Sequence, residues 1–222
     1  PACLSELVRT LASARAASGV VDWLAAGAGA VLTAGPRELA GFSWALGVCG
    51  VPGVAGGEIV TSALESRLEQ LVQDPIRPAD LSDCIWGIAT HRCVIDPGVL
   101  RRAGALRAVE GYWDWPTGAA ASFLWGLARM GHPGQPGYQV LLDSLAQRQD
   151  LTAPQLATAL WAASSLDLNT AQLAARCVTM QHQLEPRHLV AVLGAHAGLL
   201  QELCGQLEAV AGILSPAEAV AV

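Results

Sequence analysis

The stretch PQLATALWAASSLDL, Pro154 to Leu168, decides the fold because relatives of it return along the whole chain. PRELAGFSWALGVCGV begins at Pro36, PADLSDCIWGIATHRCVI at Pro78, PTGAAASFLWGLARMGH at Pro116 and PRHLVAVLGAHAGLL at Pro186. Each has a proline, a polar stretch and a run of small and aliphatic residues. A tryptophan closes that run in all but the last, where Gly194 takes its place.

Aligned on Trp44, Trp86, Trp125, Trp161 and Gly194, the copies are spaced by 42, 39, 36 and 33 residues. Five positions earlier stand Leu39, Leu81, Ala120, Leu156 and Leu189. One position earlier stand Ser43, Ile85, Leu124, Leu160 and Leu193. The residue after the slot is always small (Ala45, Gly87, Gly126, Ala162, Ala195), and so is the third after it (Gly47, Ala89, Ala128, Ser164, Ala197). A fainter copy from Leu4 puts Arg9 in the slot, and SPAEAVAV from Ser215 reads as the start of another, cut off. A fixed pattern with variable spacing marks stacked units whose loops absorb insertions.

Each copy predicts two helices. The first begins near its proline, which suits a first helical turn because the missing N–H has no intrahelical partner there anyway. Its aliphatics recur at three and four, one buried stripe. Small residues let a neighbouring backbone approach, and the tryptophan fills the gap beside them. The second helix lies between copies, in amphipathic stretches at 57–74, 98–113, 137–150, 170–184 and 199–214. β-Branched alternation, the mark of strands, is absent. A lone helix pair cannot bury its apolar face, so the pairs must stack. The expectation is a single all-α solenoid of about six helix-turn-helix repeats over residues 1–222. The unfinished last copy and the start at Pro1 are expected of a fragment of a longer chain.

Composition narrows the function. The chain is 52% hydrophobic, enough for a sizeable core, and only 14% charged, against roughly 25% in ordinary globular domains. Such a surface predicts neighbours that cover part of it. The net charge of −6 gives no global basic field. All thirteen basic residues are arginine, which excludes a Walker A loop, a Schiff base and a lysine general base. The six cysteines (3, 49, 84, 93, 177, 204) form no CxxC pair and mostly sit in apolar runs, as buried reduced thiols do. The weakly charged run Gly19 to Gly35 carries Asp22 and several glycines and is short of the roughly 20 residues of a membrane span.

No catalytic constellation emerges. GFSWA around Ser43 has no preceding strand and no second glycine, both of which a nucleophile elbow needs. GAGAVLTAG lacks the third glycine of a dinucleotide loop. His91 and Cys93 have no second Cys/His pair for zinc. His182, His188 and His196 read as surface or capping residues. The expectation is therefore a non-enzyme with no cofactor and no metal.

The run of Leu, small, polar, Leu, Trp, small, aliphatic and small after a proline resembles the octotricopeptide repeat. It is closest in AASFLWGLARMG (Ala120–Gly131) and LATALWAASSL (Leu156–Leu166), and clear in LAGFSWALGVCG (Leu39–Gly50) and LSDCIWGIATH (Leu81–His91). The family's Pro-Pro-Pro-Glu-Trp signature is missing, with GYWDWPTG only an echo of it, and no stretch of these 222 residues reads as the RAP domain in which related repeat proteins end. That family is abundant in green algae. The resemblance implies an organellar RNA-associated protein acting in RNA stability, processing or translation, or as a structural part of an algal mitochondrial ribosome. The expectation is a mitochondrial ribosomal scaffold on rRNA, with neighbouring proteins and no membrane as partner. The alternatives are the chloroplast, a free RNA maturation or stability factor, and a protein-binding scaffold with little RNA contact. Phosphate contacts would fall to arginines near helix starts or on second helices: Arg37, Arg77, Arg92, Arg101, Arg102, Arg107, Arg129, Arg148 and Arg187. The fork of a guanidinium suits phosphate oxygens.

Overall fold

The computed structural model describes residues 31–49, 62, 66–67, 76–90 and 115–195. They hold seven α-helices, one 3-10 turn and no strand. These are α1 (Pro36–Cys49), α2 (Pro78–Thr90), α3 (Thr117–Arg129), α4 (Pro136–Gln147), α5 (Ala153–Ser165), α6 (Ala171–Thr179), the 3-10 turn Gln181–Gln183 and α7 (Pro186–Ala195). The regular structure of the described residues is all helical, as the periodicity predicts. The opening copy around Arg9, the second helices expected at 98–113 and 199–214, and most of the one at 57–74 lie outside the described residues.

Each tryptophan-slot segment forms one helix, and its proline sits at the start. Pro36, Pro78 and Pro186 open α1, α2 and α7, Pro116 is the N-cap of α3, and Pro154 lies in the first turn of α5. At α5 the Thr152 N–H donates to Gln155 Oε1 at 3.0 Å, which satisfies one of the donors a helix start leaves bare. Two of these helices end alike. After α3, Gly131 at φ +72° donates to Ala128 O and His132 to Leu127 O. After α5, Asp167 at φ 53° donates to Ser164 O and Leu168 to Ala163 O. Both are Schellman ends, with the left-handed residue six places after the tryptophan.

The tryptophan helices form a row in which α1 packs on α2, α2 on α3, α3 on α5 and α5 on α7. The second helices α4 and α6 pack on each other and on their own first helices, α3 and α5. The core runs continuously between these layers through Leu39, Phe42, Leu81, Ile85, Phe123, Leu124, Leu156 and Leu160, all but excluded from solvent. Trp115, Phe123 and Tyr138 form an aromatic chain tying the entry of α3 to α4, with ring centroids 4.9 and 6.2 Å apart. Edge-to-face and tilted pairs of this kind add to simple area burial.

The small residues set the register of the row. A Cβ at Gly87 would collide with the carbonyl of Ser43, and one at Gly126 would stand 3.1 Å from Ile85 O. Gly87 and Gly126 follow Trp86 and Trp125, while Ser43 and Ile85 precede Trp44 and Trp86. One copy thus rests its post-tryptophan residue on the pre-tryptophan backbone of the copy before. A Cβ on Gly47 would meet the Trp86 ring at 2.8 Å. The indole therefore lies over the small residue three places beyond the preceding tryptophan. The sequence pattern and the interhelical contact are the same fact.

Candidate RNA-facing surface

Exposure on the row follows the tryptophan. In α5 the incompletely buried residues are Pro154, Gln155, Thr158, Trp161, Ser164 and Ser165. In α3 they are Gly118, Ala119, Ser122, Trp125, Ala128 and Arg129. At 100° per residue, positions seven before, three before and four after the slot lie within about 60° of it, on one face. Trp44, Trp86, Trp125 and Trp161 are all half-buried, so each packs one side on the core and leaves another open. The packing role expected of them is present, but it does not consume the whole ring.

The candidate arginines divide into three groups. Arg92, Arg101, Arg102 and Arg107 lie outside the described residues. Arg187 occupies α7 seven places before Gly194, the register that Arg37 holds before Trp44. The remaining four differ in what they touch. Arg77 forks onto Asp80, Nε to Oδ2 at 2.6 Å and Nη2 to Oδ1 at 2.9 Å, and this pairing raises its pKa. Arg148, half-buried, donates to Thr117 Oγ1 at 3.4 Å, and Thr117 in turn donates to Asp150 Oδ2 at 2.7 Å. Arg37 and Arg129 are exposed and make no ion pair or hydrogen bond among the described residues. Both fall on the tryptophan face, seven before Trp44 and four after Trp125.

Two arginines that the sequence reading passed over work inside the protein. Arg67 donates through Nε to Ala34 O, and Arg176 through Nη1 to Ala146 O at 2.8 Å. Each reaches from one copy's second-helix segment to a backbone carbonyl at the end of the segment before it. Gln139 on α4 similarly grips the loop ahead of α6, accepting from Asn169 N at 2.7 Å and donating to Asn169 O at 3.2 Å. Arginine at a second helix thus signals a clasp between copies as readily as a phosphate contact.

Ser43 is mid-helix in α1, buried, and its Oγ makes no hydrogen bond among the described residues. Nothing about it resembles an exposed nucleophile. Cys84 and Cys177 are free and buried. Burial pushes the Cys84 thiol far above its usual range against the opposing pull of the nearby Ser43 hydroxyl, and burial pushes Cys177 up to about 11. Such thiols are inert at neutral pH. Among the described residues no cluster of three or more His, Cys, Asp and Glu could hold a metal, and no helix is long and apolar enough to cross a membrane. His91, Cys93 and His196 lie outside those residues. His182 is exposed in the 3-10 turn. His188 accepts from Glu185 N at 3.3 Å through Nδ1 and so caps α7, and its ring also borders an open groove with Trp125, Ala157, Thr158, Trp161 and Ala191.

Against known proteins, the chain matches no family model and no curated sequence.

Proposed function

We propose that the protein is a non-catalytic, RNA-associated solenoid of about six helix pairs of the octotricopeptide type. It holds RNA along the face that carries the tryptophans. The observation that carries this reading is the shared register of Trp44, Trp86, Trp125 and Trp161, half-open on one face, with the exposed guanidiniums of Arg37 and Arg129, which have no ion pair among the described residues, on that same face. Half-open indoles offer stacking surface to unpaired bases, and flanking guanidiniums offer contacts to the phosphates between them. The mechanism is positioning. The favoured setting is a mitochondrial ribosome with rRNA as the RNA, because a chain only 14% charged with a continuous apolar core suits a piece held among neighbours. A chloroplast location or a free RNA maturation factor uses the same face.

The second reading is a protein-binding scaffold, and the net charge of −6 is what favours it. Purifying the native protein at moderate salt and sequencing RNA crosslinked to it separates the two. Discrete rRNA segments support the ribosomal scaffold, and a single messenger or precursor supports a free factor. No RNA above background with protein partners retained overturns the RNA reading.

A further inference from the structure

The row helices share a second register, six places before the tryptophan slot: Glu38, Asp80, Ala119, Gln155 and His188. Each is the third residue of its helix. A side chain there can reach back to the N–H at the helix entry, one of the donors a helix start leaves bare. Gln155 Oε1 accepts from Thr152 N at 3.0 Å, and His188 Nδ1 accepts from Glu185 N at 3.3 Å. Glu38 lies over its own helix entry, where a Cβ on Gly35 would stand 2.6 Å from Oε2. Asp80 takes the guanidinium of Arg77 instead. Within this set, imidazole is the one group that ordinarily changes charge between about pH 5 and 8.

The direction of the His188 bond fixes its proton. A backbone N–H only donates, so Nδ1 is bare while the cap is made, and the neutral ring keeps its proton on Nε2. Acid puts a second proton on Nδ1. Two N–H groups then face each other, and a positive ring sits at the positive end of the α7 dipole. The cap therefore belongs to the neutral ring. It is whole above the imidazole range and is lost as the pH falls through it. On α5, against which α7 packs, there is no titratable side chain. The turn itself brings Glu185 and Arg187, the 3-10 turn before it brings His182, and α3 brings Arg129 one turn beyond Trp125. Glu185 is the one anion of these, and it is exposed, so solvent screens its pull on the ring.

His188 and Ala191 form the α7 border of the groove that Trp125, Ala157, Thr158 and Trp161 close on its other sides. We infer that neutral His188 holds the first turn of α7 in place as this border, and that protonation of the ring releases the turn and opens the groove beside Trp161. The device is the same whether the face takes RNA or protein.

The test follows amide hydrogen exchange of the 222-residue chain, corrected for intrinsic rates, at about pH 5.5 and about pH 7.5, within the range where imidazole titrates. On acidification, protection of the segment 185–191 should fall by about 2- to 30-fold, the effect of losing a capping side chain. The first turn of α5, capped by Gln155, should hold. His188→Gln keeps an acceptor at both pH values, as Gln155 does, and should abolish the fall. Acrylamide quenching of tryptophan fluorescence should rise on acidification in the parent and stay level in His188→Gln. Four outcomes overturn the inference: no fall in the parent, an equal fall in the α5 turn, the same fall in His188→Gln, or a fall without any change in quenching. The ring nitrogen resonances of His188 decide without a substitution. A bare Nδ1 at neutral pH supports the cap, and a protonated one overturns it.

Discussion

Gly87 rests directly on the carbonyl of Ser43, too close for any side chain larger than hydrogen. This contact joins α1 to α2, and Gly126 against Ile85 repeats it between α2 and α3. Gly87→Ala forces a methyl into a backbone oxygen that cannot rotate away. Overpacking costs about 1–3 kcal/mol, more than the roughly 1 kcal/mol of helix propensity gained. The expected result is a melting temperature lower by several degrees, read by circular dichroism. An unchanged melting temperature would show that the row does not depend on this approach.

Gly194 predicts the opposite sign. It occupies the tryptophan slot of α7, is exposed, and a Cβ there would meet nothing within 4 Å. Gly194→Ala is expected to stabilise by about 1 kcal/mol, from helix propensity and a less disordered unfolded chain. Comparing the two glycine variants in one urea titration separates close approach from ordinary helix propensity.

Asp167 holds the left-handed position that Gly131 holds after α3. A Cβ in that conformation costs about 1 kcal/mol, and Asp softens it only in part. Asp167→Gly should therefore raise the urea midpoint, whereas Gly131→Ala, at φ +72°, should lower it.

These contacts show what the sequence could and could not disclose. The row was legible because close approach demands small residues at fixed offsets, so Gly87 and Gly126 leave a visible pattern. The second helices at 136–147 and 171–179 were legible from amphipathic spacing. The arginines were not, because a guanidinium that clasps Ala146 O and one that stands exposed use the same letter in similar surroundings. Arg129 is distinguished from Arg148 only by where each falls relative to the tryptophan face and by the presence of Thr117 beside Arg148. The groove was missed because Thr158 and His188 belong to different copies and meet only after stacking.

The buried thiols give a pH dependence. Cys177 is pushed up to about 11 from an ordinary value of 9.0, and Cys84 moves in the same direction. The unfolded chain loses these protons first, so their contribution to stability is whole below about pH 9. For Cys177 it is lost as the pH rises towards 11. Denaturant midpoints should fall across that window, and Cys177→Ala should flatten part of the fall. At pH 7 the native protein should resist thiol-modifying reagents at both sites until denaturant is added.

The clasping and the exposed arginines should separate in a paired measurement of stability and salt-dependent RNA affinity. Arg176→Ala removes a 2.8 Å hydrogen bond to Ala146 O from a half-buried position. It should cost about 1 kcal/mol of stability, since the charged donor is only partly desolvated, and leave the salt dependence of binding unchanged. Arg129→Ala removes an exposed cation with no bonded partner among the described residues, so stability should hold within about 0.5 kcal/mol. If Arg129 contacts phosphate, the slope of log affinity against log salt should become shallower by about 0.7, the value for one contact on a single strand. Arg37→Ala should act as Arg129→Ala does, because the two share a face. A slope change with Arg176→Ala and none with Arg37→Ala or Arg129→Ala would move the RNA off the tryptophan face and onto the second-helix layer.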